Sequence, residues 1–299
     1  MSIRLDGQAA IVTGAGRGLG RTHALALAER GAKIVVNDLA GAESVVEEIR
    51  WAGGEAMANS ANVADFDEVQ AMVAEAMDAW GRVDILVNNA GILRDKSFLK
   101  MPIEDIRLVI DVHLMGSMYC CKAVWEIMRE QSYGRIVLTS SSTGLYGNFG
   151  QTNYGAAKMA MLGMMNTLHL EGAKYDIRVN CLAPAAGTAM TEGILPDAVF
   201  RLLSPESVSP GVVFLCGPDA PSRKVLAAGA GSFAVFKGFE TEGANLHPDK
   251  VTPEGIADAW DAIDDESAMR ELQAGFEQAE KFAGQAAEKL GIELAREQN

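Results

Sequence analysis

The chain has 299 residues, enough for one large α/β domain or two small ones. Its formal net charge of −14 disfavours nucleic-acid binding, which needs a basic surface, and its four cysteines show no metal-ligand spacing. The cysteines are expected to be reduced thiols, which favours a cytoplasmic protein without a metal. The sequence shows no signal peptide pattern, no apolar run long enough to span a membrane and no peroxisomal Ser-Lys-Leu terminus, so no membrane partner is expected.

The first forty residues predict a βαβ unit. An apolar run over 8–13 predicts a strand, and a glycine-rich turn over 14–20 leads into a helical stretch that ends near residue 29. A second apolar run over 32–36 predicts the next strand. A strand, a glycine-rich turn, a helix and a strand in this order imply a parallel sheet.

The alternation of strands and helices continues to about residue 238. Further predicted strands cover 55–61, 83–87, 135–138, 176–182 and 224–236, and further predicted helices cover 43–51, 65–80, 114–130, 151–174 and a stretch that begins near 103. Residues 1–238 are therefore expected to form a single Rossmann-like, doubly wound α/β domain with a parallel sheet of about seven strands. Residues 252–265 and 266–292 predict two amphipathic, acidic helices, so 239–299 are expected to be a helical C-terminal extension of the same unit.

The glycine turn predicts a dinucleotide site. Gly14, Gly18 and Gly20 lack side chains, so backbone N–H groups and the helix N-terminus can approach a pyrophosphate. Asp38 ends the second strand, where a carboxylate can accept from the ribose hydroxyls and repel a 2′-phosphate, which favours NAD. Two alternatives remain: Asp38 can be a turn-forming residue, and Arg17 in the turn can pair with a 2′-phosphate.

Tyr154 and Lys158 lie one turn apart on one face of a predicted helix. An ammonium beside a phenol favours the phenolate, so we expect Lys158 to lower the pKa of Tyr154 from its usual value near ~10. Ser141, just after the predicted fifth strand, can donate a hydrogen bond to a carbonyl oxygen that Tyr154 protonates. Alone, this pair is a weak indication, because any amphipathic surface helix can carry it.

Four motifs in order resemble the short-chain dehydrogenase/reductase family, over residues 5 to about 238. They are Thr13-Gly-x3-Gly-x-Gly20, Asn88-Asn-Ala-Gly91, Ser141 and Tyr154-x3-Lys158. The resemblance implies that Tyr154 is the acid–base group, that Lys158 lowers its pKa and binds the nicotinamide ribose, and that Ser141 polarises the substrate carbonyl. The candidate cofactor-binding residues are Gly14, Arg17, Gly18, Leu19, Gly20, Asp38, Asn62, Val63, Asn89, Ala90, Gly91, Tyr154, Lys158, Ala186, Thr188 and Met190.

Two positions depart from the broad family pattern. Asn62-Val63 stands where Asp-Val usually contacts adenine, and an amide oxygen can still accept a hydrogen bond there. His113 stands where most members carry a relay asparagine. We count it as a candidate catalytic residue, and the alternative is a core histidine bonded to backbone.

Further stretches resemble the (3R)-hydroxyacyl-CoA dehydrogenase unit of type 2 peroxisomal multifunctional enzymes. They are Val36-Asn-Asp-Leu39, Asn88 to Asp95, His113 and Tyr146 to Gln151. This resemblance implies NAD-dependent oxidation of a 3-hydroxyacyl-CoA to a 3-ketoacyl-CoA by a homodimer. The alternatives are a hydroxysteroid dehydrogenase, a dehydrogenase for steroid side-chain CoA thioesters, and an NAD-binding protein without turnover.

An anionic CoA substrate would need local positive charge in this acidic chain. Arg94, Lys96 and Lys100 form the candidate CoA-binding cluster, because they follow the fourth strand at the sheet edge where open α/β sheets bind ligands. The alternative is a solvated loop whose charges face water.

Overall fold

The apolar runs of the sequence form a central eight-stranded sheet in the computed structural model, which describes residues 2–187 and 196–294. The strands are β1 (Ala9–Thr13), β2 (Lys33–Asn37), β3 (Ala56–Asn59), β4 (Ile85–Asn88), β5 (Gly134–Thr139), β6 (Ile177–Pro184), β7 (Val225–Gly229) and β8 (Ser232–Phe236). Their order is β3-β2-β1-β4-β5-β6-β7-β8, and every neighbouring pair is parallel except β7 and β8. The predicted Rossmann-like α/β fold is confirmed, and the strand order reverses between β1 and β4.

The prediction of one strand over 224–236 is wrong, because the chain reverses in its middle. Ala230 and Gly231 both have positive φ, 49° and 72°, and join β7 to β8 as a two-residue hairpin turn. Both halves of this stretch are apolar, so the hydrophobic pattern alone did not reveal the reversal. The sheet therefore ends in an antiparallel edge strand.

Helices cover both faces of the sheet. They are α1 (Gly18–Glu29), α2 (Ala42–Trp51), α3 (Phe66–Trp80), α4 (Ile103–Ile110), α5 (Gly116–Gln131), α6 (Ser142–Tyr146), α7 (Thr152–Gly172), α8 (Asp197–Leu202) and α9 (Ser209–Cys216). Successive strand residues such as Ile11 and Val12 belong to two separate buried clusters, since side chains alternate across a strand. One cluster includes residues of α1, α2 and α9, and the other includes residues of α3, α5 and α7, which is the doubly wound arrangement.

A π-helical segment, Asp111–Met115, joins α4 to α5 without a break. The sequence predicted two separate helices here, and the chain instead stays helical from Ile103 to Gln131. His113 lies in the π-helical segment, and such bulges often mark functional sites.

The chain divides into two compact units, Met1–Phe236 and Lys237–Asn299. Up to residue 294, the second unit contains a short antiparallel pair and three α-helices: β9 (Glu240–Thr241), β10 (Met269–Arg270), α10 (Pro253–Asp258), α11 (Trp260–Ile263) and α12 (Gly275–Leu290). The predicted helix over 266–292 is wrong in its first part, because residues 269 and 270 pair with β9 as a strand. Across the described ranges, no helix combines the length and apolar character that crossing a membrane requires.

Candidate active site

A cavity of about 550 Å³ lies where the strands of the first unit end. Most of the predicted cofactor and catalytic residues line it: Gly14, Arg17, Gly18, Leu19, Gly20, Asp38, Asn62, Val63, Asn89, Ala90, Gly91, His113, Tyr154 and Lys158. Sequence analysis missed other lining residues, among them Leu39, Ile92, Thr139 and Pro184. The structure thus brings together residues that are distant in sequence at the edge where open α/β sheets bind ligands.

Several predicted residues lie elsewhere. Of the residues that the structure describes, the lining leaves out Ser141, Ala186, Arg94, Lys96 and Lys100. Ala186 is buried in a hydrophobic cluster of the core, so its part in cofactor binding stays a prediction. Thr188 and Met190 lie outside the described residues.

The glycine turn packs directly against the loop that follows β4. A Cβ on Gly14 would lie 2.7 Å from the Ala90 Cα, and a Cβ on Gly20 would lie 2.1 Å from the Gly14 carbonyl oxygen. Among the described residues, no side chain caps α1 at Arg17, and its first turn holds no acidic residue. The N-terminal N–H groups of this helix therefore suit the pyrophosphate of a dinucleotide.

Thr13 and Asn89 fasten the ends of β1 and β4 together. The Thr13 hydroxyl accepts hydrogen bonds from the backbone N–H groups of Asn89 (3.0 Å) and Ala90 (3.1 Å). The Asn89 side-chain amide donates to the carbonyl oxygens of Thr13 (2.9 Å) and Gly14 (3.0 Å). Asn89 therefore shapes the cavity wall, and Thr13, which opens the glycine motif, holds the Asn89 backbone in place.

Asp38 forms the turn that the sequence allowed, and its contact with a ribose stays a prediction. Its carboxylate accepts from the Gly16 N–H at 2.9 Å and from the Ala40 N–H at 3.3 Å, as a turn-forming aspartate does. It also lines the cavity, and so does the exposed Arg17. A carboxylate and a guanidinium therefore both line this end of the cavity.

Ser141, Tyr154 and Lys158 come together between β5 and α7. The Ser141 hydroxyl caps α6 by accepting from the Thr143 N–H at 3.2 Å, and it is hydrogen-bonded to the Tyr154 phenol. Lys158 is buried, and its ammonium donates to the Thr139 carbonyl oxygen at 2.6 Å. The Lys158 Nζ lies 5.7 Å from the centre of the Tyr154 ring.

The predicted lowering of the Tyr154 pKa is wrong for this structure. Burial raises the pKa of Tyr154, the hydrogen bond from Ser141 offsets part of that rise, and the charge of Asp95 adds to it. Burial also lowers the pKa of Lys158 to about 7, because it disfavours the ammonium. Desolvation of the phenolate is the largest of these effects, so Tyr154 is protonated near neutral pH.

His113 is buried directly beneath Gly91. Its Nε2 lies 3.0 Å from the Ile92 nitrogen and 2.8 Å from the Ile92 carbonyl oxygen, and its ring meets the Tyr154 ring edge-on at 5.2 Å. Burial and the charge of Lys158 lower the pKa of His113 to about 3, so the imidazole is neutral near pH 7. Its Nδ1 is buried and has no hydrogen-bond partner among the residues described. The backbone contact fits the core-histidine alternative, while the unpartnered Nδ1 leaves a polar atom beside Tyr154.

The basic cluster is partly neutralised. The Arg94 Nε and the Lys96 Nζ each lie 3.7 Å from an oxygen of Asp105, and Lys100 is exposed in a single 3₁₀ turn.

In the described portion of the chain, no group of three His, Cys, Asp or Glu side chains could hold a metal ion.

The chain is similar to known dehydrogenases. The model of the short chain dehydrogenase family matches residues 8–198. The peroxisomal multifunctional enzyme type 2 of Drosophila melanogaster is 47% identical over 287 residues, which cover 91% of this chain and 48% of that enzyme. The solved structure of the same full-length Drosophila enzyme superposes with a TM-score of 0.83 at 42% identity, covering 96% of this chain and 51% of that one.

A second solved structure is a 7α-hydroxysteroid dehydrogenase complexed with NADH and 7-oxo glycochenodeoxycholic acid. It superposes with a TM-score of 0.71 at 31% identity, covering 77% of this chain and 95% of that one. This chain therefore spans about half the length of the Drosophila enzyme and most of a hydroxysteroid dehydrogenase.

Proposed function

Because this chain belongs to the short-chain dehydrogenase family and is an oxidoreductase, we propose that it oxidises a 3-hydroxyacyl-CoA to a 3-ketoacyl-CoA with NAD, a β-oxidation-type step. The observation that carries the proposal is that Tyr154 and Lys158 line the same cavity as the glycine turn. The similarity to a multifunctional enzyme of peroxisomes supports the substrate class.

Tyr154 is the proton acceptor in this proposal. As phenolate it takes the proton of the C3 hydroxyl, while Ser141 donates a hydrogen bond to the same substrate oxygen. A bound NAD would supply the acceptor for the hydride that leaves C3. Lys158 stabilises the phenolate. The neutral His113 packs edge-on against the Tyr154 ring and holds that ring in its orientation.

We propose NAD over NADP because Asp38 is anchored by the glycine turn and lines the cavity. Its negative charge would face the 2′-phosphate of NADP. The NADH in the hydroxysteroid dehydrogenase neighbour supports a nicotinamide cofactor of this type.

A free hydroxysteroid, or a CoA thioester formed on a steroid side chain, is the alternative substrate. The observation that favours it is the 31% identical dehydrogenase that was solved with a bile acid derivative. An NAD-binding protein without turnover is the non-enzymatic alternative, and the assembled Ser141, Tyr154 and Lys158 speak against it.

The homodimer and the cytoplasmic location also stay proposals. Exposed apolar side chains on the helices of the first unit, such as Ile103, Met118 and Met159, support self-association. The related enzymes are named as peroxisomal, so the location of this chain has to be measured separately.

One assay tests the substrate proposal. NADH formation is followed with short, long and steroid-ring 3-hydroxyacyl-CoA thioesters and with free hydroxysteroids. We expect the highest kcat/KM with an acyl-CoA. A clear preference for free hydroxysteroids supports the alternative, and binding of NAD without NADH formation from any substrate contradicts the enzymatic assignment of these residues.

A further inference from the structure

The side-chain amide of Gln151 joins three segments around the catalytic tyrosine. Its Oε1 accepts from the Thr143 hydroxyl at 2.9 Å and from the Asn148 amide at 3.1 Å. Its Nε2 donates to the Asp95 carboxylate at 2.7 Å. Gln151 immediately precedes α7, the helix that carries Tyr154 in its first turn.

These contacts allow one orientation of the amide. If the amide were rotated by half a turn, its oxygen would face the Asp95 carboxylate and its NH₂ group would face the NH₂ group of Asn148. Both pairings are repulsive, so the Gln151 Oε1 accepts from the α6 side and the Gln151 Nε2 donates to Asp95. A glutamine is the residue that supplies an acceptor and a donor together at this reach.

Two further contacts tie the same segments together. The Lys96 N–H donates to the Gly150 carbonyl oxygen at 2.9 Å, and the buried Asn153 amide donates to the Arg94 carbonyl oxygen at 3.2 Å. The loop after β4 therefore runs beside the residues that lead into α7. The Gln151 amide adds a side-chain link from these segments to Thr143 of α6, which also packs directly on α7.

We propose that Gln151 is a positioning residue, which aligns the Ser141 helix with Tyr154 and holds the Asp95 carboxylate close to the phenol. The inference rests on the proposed function, because it takes Tyr154 as the acid–base group. Gln151 acts through Thr143, which is buried beside Ser141 on α6 and donates to the amide oxygen.

The Asp95 charge gives this arrangement a measurable electrostatic effect. Burial is the main cause that raises the pKa of Tyr154, and the Asp95 carboxylate adds to it. Two further titratable groups of the described residues lie beside the Tyr154 ring: the Lys158 Nζ is 5.7 Å from the ring centre, and the ring of the neutral His113 is 5.2 Å away. Asp95 is exposed, so salt should weaken its influence.

Three variants test the arrangement. Gln151→Glu keeps an acceptor for Thr143 and Asn148 but places a second carboxylate against Asp95, so we expect kcat/KM to fall roughly 10- to 100-fold, as misplacement of a catalytic group by ~1 Å does. Asp95→Asn keeps an acceptor for Gln151 and removes the charge. It should retain turnover and move the alkaline limb of the oxidation profile to lower pH, with a smaller shift in high salt.

The double variant Gln151→Glu/Asp95→Asn reverses the polarity of the contact, because the new asparagine amide can donate to the new glutamate. It should recover most of the turnover lost in Gln151→Glu. Gln131→Glu is the matched control, because the Gln131 amide also accepts on one side and donates on the other. Its Oε1 accepts from the Val83 N–H at 3.1 Å and its Nε2 donates to the Val83 carbonyl oxygen at 2.9 Å, just before the start of β4. It should change thermal stability and leave the pH profile unchanged.

Parental kinetics in Gln151→Glu, or a double variant no better than the single one, would overturn the inference. Tyr154→Phe separates this failure from failure of the proposed function. If Tyr154→Phe is inactive while the Gln151 and Asp95 variants behave like the parent, only the positioning role is wrong. If Tyr154→Phe keeps normal turnover, the proposed function itself is wrong.

Discussion

The cofactor side and the substrate side of this active site are built by different means. On the cofactor side, the backbone of the glycine turn packs so closely that Gly14 and Gly20 leave no room for a Cβ. Thr13 and Asn89 hydrogen-bond to backbone atoms at the ends of neighbouring strands. On the substrate side, exposed loops are held by side chains that bond to other side chains, as Gln151 does with Asp95. Steric constraint thus restricts the residue types of the first region, whereas polarity and charge restrict those of the second.

This difference gives the two regions different responses to substitution. A small added side chain should damage the cofactor side, because backbone atoms cannot move out of its way. A change of charge should be felt on the substrate side, where the contacts are partly exposed and depend on salt. The predictions below test this contrast, from the largest expected effect to the smallest.

The largest effect is expected at the catalytic tyrosine. Tyr154→Phe removes the phenol oxygen, so turnover should fall by roughly 10²–10⁴, the contribution typical of general acid–base groups. Binding of NAD, measured by calorimetry, should be retained. Tyr119→Phe is the control, because Tyr119 packs against Phe66 on another helix, with ring centres 5.3 Å apart. Near-normal turnover of Tyr154→Phe would contradict the assignment.

The glycine turn should be the most sensitive position of the cofactor side. Gly20→Ala places a Cβ 2.1 Å from the Gly14 carbonyl oxygen, so the turn must shift. We expect weaker NAD binding and a free energy of unfolding lower by about 1–3 kcal/mol, as overpacking typically costs.

Gly163→Ala is the matched control for that substitution. The space around a Cβ on Gly163 is open, and this residue lies inside α7, where alanine is favoured over glycine by about 0.5–1 kcal/mol. It should raise the melting temperature and leave NAD affinity unchanged. Equal effects of the two substitutions would show that steric constraint does not distinguish the glycine turn.

The next largest effect is expected on the preference for NAD over NADP. Asp38→Ser removes the charge that would face a 2′-phosphate, so the ratio of kcat/KM for NAD to that for NADP should fall by at least about tenfold, equivalent to ~1.4 kcal/mol. Arg17→Ala in the same background is informative, since Arg17 lines the same cavity. An unchanged ratio in Asp38→Ser together with a changed ratio in Arg17→Ala would show that the arginine governs the choice.

The pH dependence of kcat tests how burial and nearby charges set the pKa of Tyr154. Oxidation needs the phenolate, and burial raises the pKa of Tyr154, so kcat should rise with pH into the alkaline range. Lys158→Met removes the ammonium that favours the phenolate and should move this limb to still higher pH. The shift should be modest, because burial lowers the pKa of Lys158 to about 7 and the lysine loses its charge above that pH. A limb that moves to lower pH would contradict this role.

The cofactor side was predictable from sequence because its constraints are local. Glycines between a strand and a helix, and Asp38 at a strand end, have meanings that depend on their immediate neighbours. Thr13 and Asn89 extend the same logic across two adjacent strands, and their positions in the motifs already marked them.

The substrate side was less predictable because its properties arise in three dimensions. The rise in the pKa of Tyr154 comes from burial, which the Tyr-x3-Lys pattern does not contain. The short helix α6 and the Gln151 contacts depend on a loop more than fifty residues upstream, since Asp95 and Gln151 are 56 residues apart. The hairpin of β7 and β8 was missed for a local reason instead, because its turn is an Ala-Gly pair inside an apolar run.

The smallest effect is expected for the basic cluster on the substrate side. CoA carries several negative charges, and an acidic protein does not steer it favourably over long distances, so local cations matter. Asp105 lies 3.7 Å from both Arg94 and Lys96, and this shared carboxylate reduces the field that a CoA phosphate would experience. Each exposed ion pair contributes only about 0.2–1 kcal/mol, so Arg94→Ala or Lys96→Ala should raise KM for an acyl-CoA by no more than about fivefold.

The same two variants should leave KM unchanged for the matching N-acetylcysteamine thioester, which lacks the nucleotide. Asp105→Asn provides the opposite test, because it removes the competing carboxylate and should lower KM for the CoA substrate alone. Equal changes with both thioesters would assign Arg94 and Lys96 to the order of the loop, whose backbone also bonds Gly150 and Asn153. Charge would then govern the substrate side through the Asp95–Gln151 contact, and the CoA phosphates would be bound by other residues.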